Sequence, residues 1–153
     1  MANKFFTLED AVAVAELAHR GQVDKSGMAY INHPKRVLAA VQAQGARPYV
    51  QAAAVLHDVI EDTPFTAEML TALGFSEAVV KLVVLLTRTP ENRETYYAAI
   101  AANPDALLIK RADIHDNLQD WRLAYLSADT QLRLRRKYRA ALANLGNPGL
   151  DNP

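Results

Sequence analysis

From Thr7 to Gly146 the apolar residues recur at helical spacing, and the periodic runs are separated by cap and breaker residues. "TLEDAVAVAELAHRG" opens on Thr7 as an N-cap and closes on Gly21. "QVDKSGMAYINHP" has no helical period and reads as an ordered loop, with a helix starting at Pro34 and running to Gly45. "PYVQAAAVLHDVIED" reads as one helix that ends before Pro64. "TAEMLTALG", "SEAVVKLVVLLTR" with Ser76 as N-cap, and "ENRETYYAAIAAN" follow. Last come a long amphipathic run, "PDALLIKRADIHDNLQDWRLAYL", and a basic one, "SADTQLRLRRKYRAALANLG". The β-branched residues of "SEAVVKLVVLLTR" suit a strand, but its length and Ser-Glu start favour a helix. No two runs pair as a hairpin, and there is no repeat. The pattern predicts an all-α fold of roughly seven or eight helices.

A chain of 153 residues, half of them apolar, can bury one sizeable core. We expect a single domain over 1–146 and a tail over 147–153. The formal net charge is zero, unlike the basic balance of a general nucleic-acid binder. Without cysteine there is neither a disulfide frame nor a thiolate metal site. No apolar run approaches the ~20 residues that span a bilayer, and "MANKFFTLED" lacks the core of a signal peptide. A soluble, cytoplasmic protein with no membrane or nucleic-acid partner is expected.

The stretch "AAVLHDVIEDTPF" places Asp58, Glu61 and Asp62 in the last two turns of the expected helix. A helix C-terminus is partially negative, and Asp58 and Asp62 repel at i and i+4. A cation is the obvious compensation. His57 and Asp58 can converge on one ion beyond the helix end. His33, just before a helix start, and Asp113 in "KRADIHDNLQD" are further candidate ligands. Such nitrogen and oxygen donors suit Mn, Fe, Co or Zn. Glu61 and Asp62, one turn beyond His57 and Asp58, can position or deprotonate a water for attack on phosphorus. Asn117, one turn after Asp113, can hydrogen-bond a nucleotide or a ligand. Each feature also has a plainer reading: a buried histidine, a solvated helix end, a helix entry, a polar stripe. Only the fold decides whether they meet.

Four stretches carry a family resemblance: "AHRGQVDKSGMAYINHP", "AAVLHDVIEDT", "LTRT" and "KRADIHDNL", in that order across residues 18–117. Together they resemble the hydrolase domain of the Rel/Spo-type (p)ppGpp synthetase-hydrolases and the stand-alone small alarmone hydrolases of the HD superfamily. The resemblance implies an HD-domain helical bundle and the hydrolase module alone. It implies His33, His57, Asp58 and Asp113 as ligands of a divalent metal, usually Mn²⁺. It makes Glu61 and Asp62 the catalytic acids and Lys25, Ser26 and Asn117 nucleotide contacts. The implied reaction removes the 3′-pyrophosphate of ppGpp or pppGpp.

The chain departs from that pattern. Asp24 stands where the family usually has an arginine packed on guanine, and Met28-Ala29 replace an acid and a proline. "IHDN" replaces "RLHN", which puts His115 and Asp116 before Asn117. Two other functions therefore stay open: an HD-type hydrolase acting on another nucleotide or phosphorylated metabolite, and a non-catalytic helical ligand-binding module. Lys25, Arg88, Lys110 and Arg111 are the candidate phosphate contacts. "RLRRKYR" reads as a solvated helix face, and His19 as structural.

Overall fold

The computed structural model describes residues 6–146; the tail expected over 147–153 lies outside them. Among the described residues there are ten helices: α1 (Leu8–Ala18), α2 (Asn32–Ala43), α3 (Pro48–Leu56), α4 (Val59–Asp62), α5 (Ala67–Leu73), α6 (Glu77–Leu85), α7 (Tyr96–Ala101), α8 (Pro104–Asn117), α9 (Asp120–Leu123) and α10 (Ala128–Asn144). The only extended pairing among them is an isolated antiparallel bridge between Val23 and Ala29. The fold is all-α, as the periodicity requires.

The sequence marks five of these ten helix starts through side chains that accept orphan backbone N–H groups. Thr7 and Asp10 form a capping box on α1. Ser76 caps α6 through the Val79 N–H, Asn103 caps α8, and Ser127 caps α10. Two expected helices are each broken in two. The run from Pro48 stops at Leu56, turns through His57-Asp58, and resumes as α4. The run from Pro104 stops at Asn117, and Gln119 (ψ 125°) redirects the chain into α9. The second helix begins at Asn32 rather than Pro34, so His33 lies within its first turn.

Helix α3 is the centre of the bundle. Val50, Ala52, Ala53, Ala54, Val55 and Leu56 are all buried, so the helix is covered on every side. It packs against α1, α2, α6 and α8, and its small alanines allow close approach. α2 in turn packs on α8. One connected core, from Ala11 to Leu145, joins these elements. Three backbone segments thus converge at the C-terminal end of α3: the start of α2, the α3–α4 turn, and the last turns of α8. No helix among the described residues is long and apolar enough to cross a membrane.

Candidate active site

The α3–α4 turn corrects the expectation of acids crowded at one helix end. Asp58 (φ −99°, ψ −1°) sits between helices, and Glu61 and Asp62 belong to the separate turn α4. The turn lets the adjacent side chains of His57 and Asp58 face one point, which an unbroken helix would hold about 100° apart.

Four predicted ligands meet there. One donor atom from each of His33, His57, Asp58 and Asp113 lies within 4.8 Å of all the others. His33 Nε2 is 2.9 Å from Asp113 Oδ1 and 3.7 Å from Asp58 Oδ2; His57 Nε2 is 3.0 Å from Asp58 Oδ2 and 3.6 Å from Asp113 Oδ1. All four residues are buried.

The donor set fits a divalent ion. His57 Nδ1 is 2.7 Å from the Ala54 carbonyl, which only a protonated Nδ1 can address as a donor. Its Nε2 then points at the carboxylates, is buried, and makes no hydrogen bond. A buried nitrogen with nothing to bond, beside two carboxylates, is a position that a cation satisfies. Without the ion, protons partly replace it. Burial works against a charged His57, but Asp58 and Asp113 outweigh it and raise its pKa well above the ordinary value. Burial likewise opposes ionisation of Asp113, yet Lys110, His33 and His57 hold its carboxyl well below the usual range.

Other side chains fix the ligands. Tyr30 donates to Asp58 Oδ2 at 2.5 Å and lies 3.4 Å from Asp62 Oδ2. Lys110 Nζ is 2.9 Å from Asp113 Oδ2, and Asn117 Nδ2 donates to Asp113 Oδ1 at 3.0 Å. Lys110 and Asn117, expected on phosphate or nucleotide, therefore hold a candidate ligand while also lining the cleft.

Asp58 and Asp113 of this centre line the floor of a cleft of about 940 Å³, large enough for a nucleotide-sized ligand. Glu61 and Asp62 stand at its edge. The Arg88 backbone N–H donates to Glu61 Oε1 at 2.6 Å. Burial, then the negative neighbours Asp58 and Asp62, push Glu61 up, against the Arg88 N–H; burial and Asp58 do the same to Asp62. Lys25 and Ser26 line the same cleft, with Arg88, Arg93, Arg122 and Lys137 around it. An acidic floor thus faces a cationic rim, a combination suited to a metal with a polyanion.

Some expectations change here. Arg111 is not among the cleft residues, and its Nε is buried without a partner. His115 is exposed. "RLRRKYR" is only partly a solvated face: Arg133, Arg136 and Arg139 are exposed, but Lys137 and Tyr138 line the cleft. His19 is buried on Gln22 (Nδ1 to Oε1 2.8 Å), whose amide donates to the Asp62 carbonyl, which agrees with a structural role.

Asp24 has a positive use that sequence reasoning missed. Its Oδ1 accepts from the Ser26 N–H (2.9 Å), the Ser26 hydroxyl (2.6 Å) and the Met28 N–H (3.0 Å). This Asx-type turn is closed by Gly27, whose φ of +84° favours glycine although an added Cβ would meet nothing within 4 Å. Tyr30 and Arg122 were also missed. The Tyr spacing before His33 offered a weak signal; Arg122 offered none, because its place depends on the α8–α9 break.

The sequence matches the HD domain family over residues 11–110. A GTP pyrophosphokinase of Streptomyces coelicolor is 34% identical over 140 residues, covering 85% of this chain and 16% of that protein. The bifunctional (p)ppGpp synthase/hydrolase SpoT of Escherichia coli is 34% identical over 143 residues, covering 85% of this chain and 20% of that protein. The chain therefore spans a fifth or less of the length of these relatives. A solved structure described as a metazoan ortholog of SpoT that hydrolyzes ppGpp superposes with a TM-score of 0.75 at 25% identity, covering 92% of this chain and 85% of that one. A family match over most of the chain, with the histidines and aspartates gathered at one buried centre, places this chain in the HD domain family.

Proposed function

We propose that the chain is a metal-dependent (p)ppGpp 3′-pyrophosphohydrolase, converting ppGpp or pppGpp to GDP or GTP and pyrophosphate. The observation that carries this reading is the four-ligand centre set in a cleft with a cationic rim. The ppGpp-hydrolysing structural neighbour, of similar length, supports it further. The pyrophosphokinase name belongs to a much longer protein of which this chain matches 16%.

In this reading residues 1–146 act as one domain, working in the cytoplasm. His33, His57, Asp58 and Asp113 hold the ion, for which Mn²⁺ is our choice. When bound, the ion supplies positive charge for a phosphoryl oxygen and acidifies a nearby water. Glu61, kept basic only above its raised pKa, accepts the water proton. Asp62 orients that water and is in turn fixed by Tyr30. Lys25 and Ser26 contact the nucleotide from the loop, and Asn117 orients Asp113 while reaching the substrate. Lys110 offsets the negative charge gathered on the floor.

Asp24 favours a second reading, a related phosphorylated nucleotide as substrate, because a carboxylate committed to its own loop offers no cation to stack on guanine. One experiment tests both. Purified protein with added Mn²⁺ is assayed for pyrophosphate release from ppGpp and for phosphate or pyrophosphate release from a nucleotide panel, beside Asp58→Ala. The first reading expects turnover of ppGpp that Asp58→Ala reduces by at least about 10³-fold. Turnover of another nucleotide but not of ppGpp moves the assignment to the second reading. Folded, metal-loaded protein inert on every substrate defeats both.

A further inference from the structure

The metal ligands His57 and His33 are oriented by different kinds of group. His57 gives its Nδ1 proton to a backbone carbonyl. His33 has a carboxylate in that place: its Nδ1 is 2.6 Å from Asp116 Oδ2, and both residues are buried. Asp116 is itself held from two sides. Arg36 donates from Nε to Oδ1 at 2.8 Å and from a terminal nitrogen to Oδ2 at 3.2 Å, and Arg122 donates to Oδ2 at 2.8 Å. A carboxylate so clamped has neither freedom to turn away nor an unbalanced charge.

The imidazole of His33 can offer a lone pair from only one nitrogen while the other carries the proton. Nε2 faces Asp113 and Asp58 at the metal centre. A proton on Nδ1, given to Asp116, leaves the Nε2 lone pair for the ion. Arg122 also comes within 3.5 Å of Nδ1, but a protonated Nδ1 cannot accept from it, and the shorter carboxylate contact governs. We propose that Asp116 is a positioning residue for the metal: it fixes the tautomer and ring angle of His33 and makes its Nε2 a stronger donor. This rests on the metal-centre reading above. It gives a function to a residue that motif reasoning passed over.

The alternative is that Asp116 only ties α2 to α8 and α9 through its arginines. Metal binding separates the two. Mn²⁺ is titrated calorimetrically into the wild type, Asp116→Ala and Asp116→Asn, with circular dichroism confirming the fold. Loss of such an outer partner weakens metal binding by about 10–100-fold, and that is the rise in Kd expected for Asp116→Ala. Asp116→Asn keeps an oxygen acceptor but not the charge, and is expected to recover part of the loss. Long-range ¹H–¹⁵N spectra of the Zn²⁺-loaded protein should show His33 protonated at Nδ1 in the wild type and no longer fixed there in Asp116→Ala. A purely structural Asp116 would lower the melting temperature but leave Kd within twofold of wild type, and that result overturns the proposal. If Asp116→Ala does not fold, Asp116→Asn decides: a Kd within twofold of wild type overturns it, a larger rise supports it. Wild type that binds no divalent ion removes the metal-centre reading, and this proposal with it.

Discussion

At the residue scale the centre is a competition between protons and a cation. His57 and His33 both have pKa values raised above 6.5; burial opposes the charge in each, but Asp58 with Asp113 and Asp113 with Asp116 prevail. Between 6.5 and the raised value the folded state binds more protons than the unfolded state. The stability from these imidazolium–carboxylate contacts is therefore complete below pH 6.5 and is lost as pH rises through the folded values. A divalent ion needs those nitrogens deprotonated. Two opposite trends are expected: the melting temperature of metal-free protein falls from pH 6.5 upward, while the stabilisation given by saturating Mn²⁺ grows over the same range. Scanning calorimetry with and without the ion checks this, and parallel curves would count against the centre. Glu61 belongs to the same balance. Burial raises its pKa, so it costs the metal-free fold stability once ionised. Glu61→Gln should raise the metal-free melting temperature at neutral pH by about 1–2 °C and lower kcat by about 10²-fold or more. Stopped assays at saturating substrate read the second effect.

At the element scale, legibility followed the chemistry of helix ends. Thr7, Ser76 and Ser127 announce their helices because a side-chain oxygen satisfies N–H groups that nothing else reaches. The breaks after Leu56 and Asn117 carry no proline or glycine, so no local breaker residue announces them. The four candidate ligands were legible as residue types. The α3–α4 turn that aims two of them was not, nor was the α9 position of Arg122 that completes the clamp on Asp116. The loop from Asp24 to Met28 is the clearest case of a residue misread by type. Asp24 looked like a lost cation; in the fold it is the loop's internal cap. Its pKa is lowered: burial opposes, but Ser26, Met28 and Arg122 overcome it, so its contribution is present above 3.8 and lost as pH falls through the folded value. Asp24→Ala should destabilise the protein by about 1–2 kcal/mol in urea titration and raise KM, because Lys25 and Ser26 ride on that turn. An unchanged KM would separate the loop from substrate binding.

At the scale of the whole molecule, the cleft sorts charge by depth. Asp58 and Asp113 lie buried on the floor, and Lys25, Arg88, Arg93 and Lys137 line the walls. Floor charges are sheltered from salt, whereas rim charges are screened over about 8–10 Å at ordinary ionic strength. Metal affinity and substrate affinity should therefore respond differently to salt. The Kd for Mn²⁺ should change little between low and moderate salt, while KM for a polyanionic nucleotide rises. Lys137 tests the rim most directly, because it is exposed, lies against the Tyr138 ring, and touches none of the ligands. One partly exposed cation–phosphate contact is worth about 1 kcal/mol, so Lys137→Ala should raise KM about fivefold. Its kcat should stay within twofold, and the salt dependence of KM should become shallower. If α10 is only a solvated face, Lys137→Ala and Arg136→Ala will behave alike and neither will move KM. A loss confined to Lys137 would instead make α10 a wall of the substrate site, joining it to a centre built from earlier elements.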